Sequence, residues 1–284
     1  MRVIKNVDLS NLTTIRLGGT ASCFYEPETE AELIKCIVDN PEIEYFIGGG
    51  SNLLINERVF EGVISLKKFN DNILHIENGR YIVGASVKLI KLINIINTDG
   101  YGGIEYLCTV PGLVGGAVAM NAGTGIKENL AISDYILSVK VYDKEAGSIL
   151  TINKDECGFA HRSSMFKSCS RYIILEVQFV FKPQKPEISQ ILRSDKRAYS
   201  RYHHDYSAAN FGSVFSVFDP MVLKIVKRLG YGNSRGVHFS KKTLNWILKE
   251  KDGNYQEAKV FLNGIIWVHK MLHKKCKLEV VVWE

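Results

Sequence analysis

Apolar and polar positions alternate along the chain with two rhythms, one helical and one extended. Over residues 29–38 the apolar positions Ala31, Leu33, Ile34, Ile37 and Val38 recur at helical spacing, and residues 43–47 then read as a strand running into glycines. Residues 59–66 and 81–85 keep the strand alternation. Leu89, Ile90, Leu92, Ile93 and Ile96 predict a helix over 87–97 that stops before Asp99-Gly100. In the middle third, residues 137–143, 148–152 and 172–181 read as antiparallel strands, until Pro183 and Pro186 break the pattern. A charged amphipathic helix is predicted over 188–202. Helices over 221–229 and 254–272 follow, with short strands between them, and residues 278–284 read as a final strand. This order of elements predicts an α+β protein.

The length of 284 residues allows two or three compact units. Changes of rhythm place their limits at 1–68, 69–186 and 187–277, with 278–284 returning to the first. No apolar run approaches the roughly 20 residues of a membrane-spanning helix, and the start has no secretory pattern. A cytoplasmic protein without a membrane partner is expected. The six cysteines, Cys23, Cys36, Cys108, Cys157, Cys169 and Cys276, are scattered, with neither a Cys-x-x-Cys pair nor zinc-like histidine spacing. They read as reduced thiols, and no metal site is expected. The net charge of +6 suits an anionic ligand or a nucleic acid equally. The run His273-Lys-Lys-Cys-Lys follows an apolar-periodic segment, so it reads as a solvated helix end. No nucleic-acid partner is expected.

Two glycine-rich segments carry candidate chemistry. Gly48, Gly49 and Gly50 follow a predicted strand and precede Ser51 and Asn52, a turn that can expose backbone N–H groups to a phosphate. Neither the G-x-G-x-x-G spacing nor a following Gly-Lys-Ser/Thr is present, so a tight structural turn is an equal reading. The second segment runs from Val110 to Gly123 through Pro111, Gly112, Gly115, Gly116, Ala117 and Asn121. So many small residues let a backbone approach a flat ring such as a flavin, or let a helix pack closely on a strand.

Taken together, and with Thr14-Ile-Arg-Leu-Gly-Gly-Thr-Ala ahead of them, these segments resemble the UDP-N-acetylenolpyruvoylglucosamine reductase family from about residue 11 to 181. The resemblance implies a two-subdomain FAD-binding fold of the vanillyl-alcohol-oxidase type followed by a small α+β substrate-binding domain. It makes Gly48, Gly49, Gly50, Ser51 and Asn52 the pyrophosphate loop. Pro111, Gly112, Gly115, Gly116, Ala117, Asn121 and Gly123 become the flavin-ring loop. The implied reaction is NADPH-dependent reduction of a UDP-sugar enolpyruvyl ether by a monomeric enzyme. Arg162 stands at the family's catalytic arginine, Ser213 at its proton donor, and Arg201 and Lys242 are the basic groups expected near the substrate diphosphate. The third catalytic group is Glu279 in one register of the last strand, while another puts Val281 there. The family's lysine after the serine is replaced by Ser216 or Val217, its asparagine by Asp219 and a later histidine by Thr243. His161 and Ser163 replace a tyrosine and an aspartate.

Overall fold

The structure, a computed structural model, describes residues 1–124, 130–167 and 171–284. Cys169 lies outside the described residues. The chain groups into two compact units, one of Met1–Ile4, Cys23–Gly49 and Gly62–Ser200, the other of Lys5–Ser22, Gly50–Glu61 and Arg201–Glu284.

The first unit is built on an antiparallel five-stranded sheet in the order Ser148–Asn153, Ile136–Asp143, Tyr172–Val180, Arg80–Gly84 and Ile73–His75. Val177 lies between Val139 and Val83 in register, and Phe179 opposes Tyr81, so alternate positions fill one face. Ile173, Ile174 and Leu175 are all buried in sequence, which strict alternation forbids. A register shift between Ile174 and Glu176 accounts for it. Helix α1 (Glu30–Asp39) starts where the Thr29 hydroxyl accepts the Glu32 N–H. It buries Leu33, Cys36 and Ile37 in the same core that receives Leu89, Leu92, Ile93 and Ile96 of helix α2 (Leu89–Thr98). A short helix α3 (Val114–Ala119) occupies the second glycine segment. The predicted strand over 43–47 is confined to Tyr45–Ile47, paired in parallel with Val59–Ser65.

Helix α4 (Pro186–His203) leads from the first unit into the second. There helices α5 (Pro220–Arg228) and α6 (Tyr255–Met271) cover a core containing Phe215, Leu223, Phe239, Phe261 and Ile265. Asp219 caps α5 ahead of Pro220, and Asn254 with Glu257 forms a capping box for α6. The strands here come in pairs, Val237–Phe239 with Ile247–Lys249 and Phe215–Val217 with Lys277–Leu278.

The single final strand expected over 278–284 is two strands. Lys277–Leu278 runs antiparallel to Phe215–Val217, and Val281–Trp283 runs parallel to Leu53–Ile55. The two pairings belong to separate two-stranded ladders, and Glu279 and Val280 between them lie in neither. Strands Arg2–Asp8 and Thr20–Glu26 were not foreseen, because the first is exposed or half-buried at every position and carries no apolar alternation.

Candidate active site

The first glycine segment is fixed by the backbone. Gly50 has φ of 66°, and a Cβ there would lie 1.9 Å from the Leu12 carbonyl oxygen, so another residue is excluded twice over. The Gly50 carbonyl accepts the Thr14 N–H at 3.1 Å. The N–H groups of Gly48, Gly49, Gly50 and Ser51 make no hydrogen bond to a described residue. Four consecutive donors are therefore available to an anion. The Asn52 side chain instead holds the C-terminal segment. Its amide donates to the Glu279 carbonyl at 3.0 Å, while the Asn52 carbonyl accepts the Val281 N–H at 3.0 Å.

The second glycine segment comes close to the first. A Cβ on Gly49 would stand 3.1 Å from Gly112 Cα. Three backbone bonds hold the segment against residues 85–89, from Leu89 N–H to the Gly112 carbonyl, Val114 N–H to that of Val87 and Gly115 N–H to that of Ala85. Gly115 fits the close-packing reading, with its missing Cβ 3.0 Å from that of Ala85. Gly116 is different, since a Cβ on it would meet nothing within 4 Å. One segment thus both packs on the sheet and leaves an open, side-chain-free face. Pro111 is exposed, Ala117 is buried, and Gly123 lies against Leu130, whose carbonyl a Cβ would approach to 2.2 Å.

Arg162 is tied to the end of α3. Residues 160–163 form a tight hairpin in which the Ala160 N–H donates to the Ser163 carbonyl at 2.9 Å and the Ser163 N–H returns to Ala160 at 3.1 Å. Arg162 adopts φ of 54°, a left-handed conformation that costs a non-glycine residue about 1 kcal/mol. Asn121, also left-handed, donates its side-chain amide to the Ala160 carbonyl at 2.9 Å and accepts the Ser133 N–H at 3.3 Å. The Ser164 hydroxyl donates to the Ala119 carbonyl at 2.7 Å. The arginine turn and the open glycine face are consequently one rigid piece. Tyr106 has a buried hydroxyl with no partner among the described residues. Burial, aided by Tyr135 and Asp134, raises its pKa, and the Arg162 charge pulls it the other way.

Ser213, half-buried, sits on a loop of the second unit. Asn245 clamps the two residues after it. Its carbonyl accepts the Val214 N–H at 3.0 Å, its side-chain oxygen accepts the Phe215 N–H at 3.0 Å, and its amide donates to the Phe215 carbonyl at 2.7 Å. The Val214 carbonyl accepts the Glu279 N–H at 2.8 Å. Glu279 is therefore brought beside the Ser213 loop, whereas Val281 is in register with Leu53. No hydrogen bond joins the Ser213 hydroxyl to a described residue.

Arg201 and Lys242 are exposed on neighbouring segments, since Thr243 Oγ1 donates to the His203 carbonyl at 2.8 Å. Asp205 organises the Lys242 segment from beneath. It accepts the Ser240 hydroxyl at 2.8 Å and the Lys241 N–H at 3.2 Å, while Ser240 Oγ accepts the N–H groups of Lys242 and Thr243. Burial opposes the Asp205 charge, but its hydrogen bonds from Ser207, Ser240 and Lys241 outweigh that and lower its pKa to about 2. Ser216 Oγ reaches the Lys277 and Leu278 carbonyls only at 3.4 Å, and Asp219 caps α5 and pairs with Lys274 at 3.2 Å. Tyr106, Asp205 and Asn245 were not assigned a role from sequence, although Asn245 stands two residues after Thr243, a position already compared with the family.

Burial pushes the Cys36, Cys157 and Cys276 thiols up to about 11, so none is an activated thiolate. Among the described residues no cluster of His, Cys, Asp or Glu could hold a metal.

Unpaired amides and a glycine face without side chains suit a diphosphate joined to a flat ring. Residues 21–153 match the FAD-binding domain family. The chain is 31% identical over 281 residues to the UDP-N-acetylenolpyruvoylglucosamine reductase of Prochlorococcus marinus subsp. pastoris, covering 95% of this chain and 92% of that one. It is 32% identical over 292 residues to the reductase of that name from Carboxydothermus hydrogenoformans, covering 99% and 93%. The chain belongs to the UDP-N-acetylenolpyruvoylglucosamine reductase family. The crystal structure of the Thermus caldophilus UDP-N-acetylenolpyruvylglucosamine reductase matches all of both chains with a TM-score of 0.80 at 24% identity, a likeness of fold. The α+β FAD-binding fold expected of a UDP-N-acetylenolpyruvoylglucosamine reductase is thus present, and the protein is an FAD-dependent oxidoreductase.

Proposed function

We propose that the protein reduces UDP-N-acetylglucosamine enolpyruvate to UDP-N-acetylmuramate, with NADPH as the reductant of FAD. The observation that carries this reading is the left-handed Arg162 turn held by Asn121 and Ser164 against the end of the glycine-lined helix α3. Backbone strain of this kind clusters at active sites, so its presence at an arginine pinned to a cofactor segment supports a positioned catalytic group.

FAD held by this chain would supply the hydride for reduction of the enolpyruvyl double bond. Gly48, Gly49, Gly50 and Ser51 would hold its diphosphate through their N–H groups, and Asn52 keeps that turn in place through the Glu279 segment. The residues around Pro111, Gly112, Gly116, Ala117, Asn121 and Gly123 form the ring-binding face, with Gly115 packed behind it.

The protein must stabilise charge on the substrate carboxylate as the double bond is reduced, and then deliver a proton. Arg162, planar and permanently charged, grips that carboxylate and spreads its growing negative charge. Ser213 donates the proton to the neighbouring carbon. Its hydroxyl is uncommitted to described residues, so none of them competes for that proton. Glu279 assists from the segment hydrogen-bonded to Val214. Lys242 and Arg201 receive the nucleotide diphosphate, with Asp205 fixing the backbone beneath Lys242.

The departures at Ser216, Asp219 and Thr243 favour a second reading, an FAD oxidoreductase of this family acting on a different enol or unsaturated acid. NADPH consumption with the enolpyruvyl nucleotide, followed by mass identification of the product, separates the two. UDP-N-acetylmuramate formed in step with NADPH oxidation is expected, and its loss in Ser213→Ala with FAD retained is the accompanying result. NADPH oxidation unaffected by the nucleotide would refute the substrate assignment.

A further inference from the structure

Helices α5 and α6 lie side by side and antiparallel. Lys274, just beyond α6, pairs with Asp219 at the start of α5 at 3.2 Å, and the Asp219 N–H donates to His269 Nε2 at 3.3 Å. At the opposite end Tyr231, beyond α5, rests on Gly264 in the middle of α6, where a Cβ would come within 2.9 Å of its ring. Both helices turn their inner faces into one core, with Val222, Leu223 and Val226 from α5 and Phe261, Leu262 and Ile265 from α6.

The outer faces are apolar as well. Met221, Ile225 and Leu229 form a row at four-residue spacing on α5, and they are 64%, 55% and 76% exposed. Val260, Trp267 and Met271 form a row on α6, at 58%, 55% and 60%. Scattered exposed apolar side chains need no explanation, but a row of three on each of two packed helices does. None of these residues belongs to the proposed catalytic machinery.

Charge identifies the occupant. Residues 220–235 contain Lys224, Lys227, Arg228 and Arg235 and neither Asp nor Glu. Residues 258–278 contain Lys270, Lys275 and Lys277, besides Lys259 and Lys274, which pair with Glu284 and Asp219. A second copy of this face would set like charge against like charge. A nucleic acid would offer nothing to Met221, Leu229 and Met271. Cations interleaved with aliphatic side chains and a tryptophan match the boundary between headgroups and acyl chains of an anionic bilayer. We propose that the outer face of α5 and α6 docks peripherally on anionic phospholipid membranes. No described helix is long and apolar enough to cross a membrane, and a peripheral contact requires none. The expectation of no membrane partner came from the missing span, a different property.

The decisive experiment uses the FAD-loaded protein with vesicles of phosphatidylcholine alone or mixed in equal parts with phosphatidylglycerol. Sedimentation should show binding at least about tenfold stronger to the anionic vesicles and weakened by salt. Tryptophan emission should shift to the blue, reporting Trp267, because Trp246 and Trp283 are only 7% and 8% exposed. Leu229→Asp, and separately Lys224→Glu with Arg228→Glu, should remove the binding and leave flavin content unchanged. Equal binding to both vesicle types, binding to neither, or binding retained in both variants overturns the proposal. So does a concentration-dependent dimer that Leu229→Asp abolishes, which would assign the face to a second copy.

Discussion

The Arg162 turn and the Ser213 loop are each held by an asparagine, yet the two regions are built on different support. Asn121 holds the Arg162 turn from a segment that is itself bound by backbone hydrogen bonds to Ala85, Val87 and Leu89, beside a five-stranded sheet. Asn245 holds the Ser213 loop from a connection between two three-residue strands. In the first region glycine and backbone geometry fix position. In the second, single side chains do. Departures from the family pattern fall in both regions, at His161 and Ser163 beside Arg162 and at Ser216, Asp219 and Thr243 in the second, so it is the kind of support and not the number of changes that separates them.

Gly50→Ala strikes hardest at this contrast. A Cβ 1.9 Å from the Leu12 carbonyl, at a left-handed φ, should cost about 3 kcal/mol or more and abolish FAD retention. Flavin absorbance after gel filtration and the melting temperature would show it. A yellow, wild-type-stable variant would contradict the claim that backbone geometry fixes this segment.

Arg162 offers two substitutions with opposite effects. Arg162→Lys should lower turnover by about 10²- to 10³-fold with FAD retained, since one ammonium cannot replace a planar fork. Arg162→Gly should also lose activity but gain about 1 kcal/mol of stability by releasing the left-handed strain. A glycine variant melting below wild type would show that the strain is not stored there.

The two clamps separate next. Asn245→Ala removes two side-chain hydrogen bonds and should cost about 2 kcal/mol and lower turnover, with flavin content unchanged. Asn121→Ala should lower both turnover and flavin content, because its segment also forms the ring-binding face. If the variants lose flavin equally, the contrast fails.

The smallest effect concerns acid. Asp205 has its pKa lowered to about 2 in the folded protein, so its stabilisation is complete above the ordinary carboxylate range and is lost as pH falls through about 4 to 2. The melting temperatures of wild type and Asp205→Asn should therefore converge over that window. A constant gap would mean that the Asp205 charge contributes nothing.

Helices α1, α2, α4, α5 and α6 were legible from their spacing, with observed limits within two residues of those read, whereas the short helix α3 in the second glycine segment was not. The change of partner near the C-terminus was not legible either, since Leu278 and Val280, Val281 and Val282 are apolar on both sides of Glu279 and nothing local announces it. The same difference divides the site. The glycine segments are contiguous and could be recognised as motifs, whereas Asn245 acts 30 residues from Phe215 and Asp205 acts 35 from Ser240. A lone asparagine or aspartate leaves no periodic trace. Tyr106 stands just ahead of the second glycine segment, but its orphaned hydroxyl is a property of packing alone.

Anaerobic stopped-flow spectroscopy of the FAD-loaded protein puts the proposed reaction to the proof in one experiment. NADPH should bleach the visible flavin band, and UDP-N-acetylglucosamine enolpyruvate should then restore it far faster than buffer alone, with the restoring phase slowed in both Arg162→Lys and Ser213→Ala. Restoration no faster with the nucleotide than without it would contradict the proposed reaction.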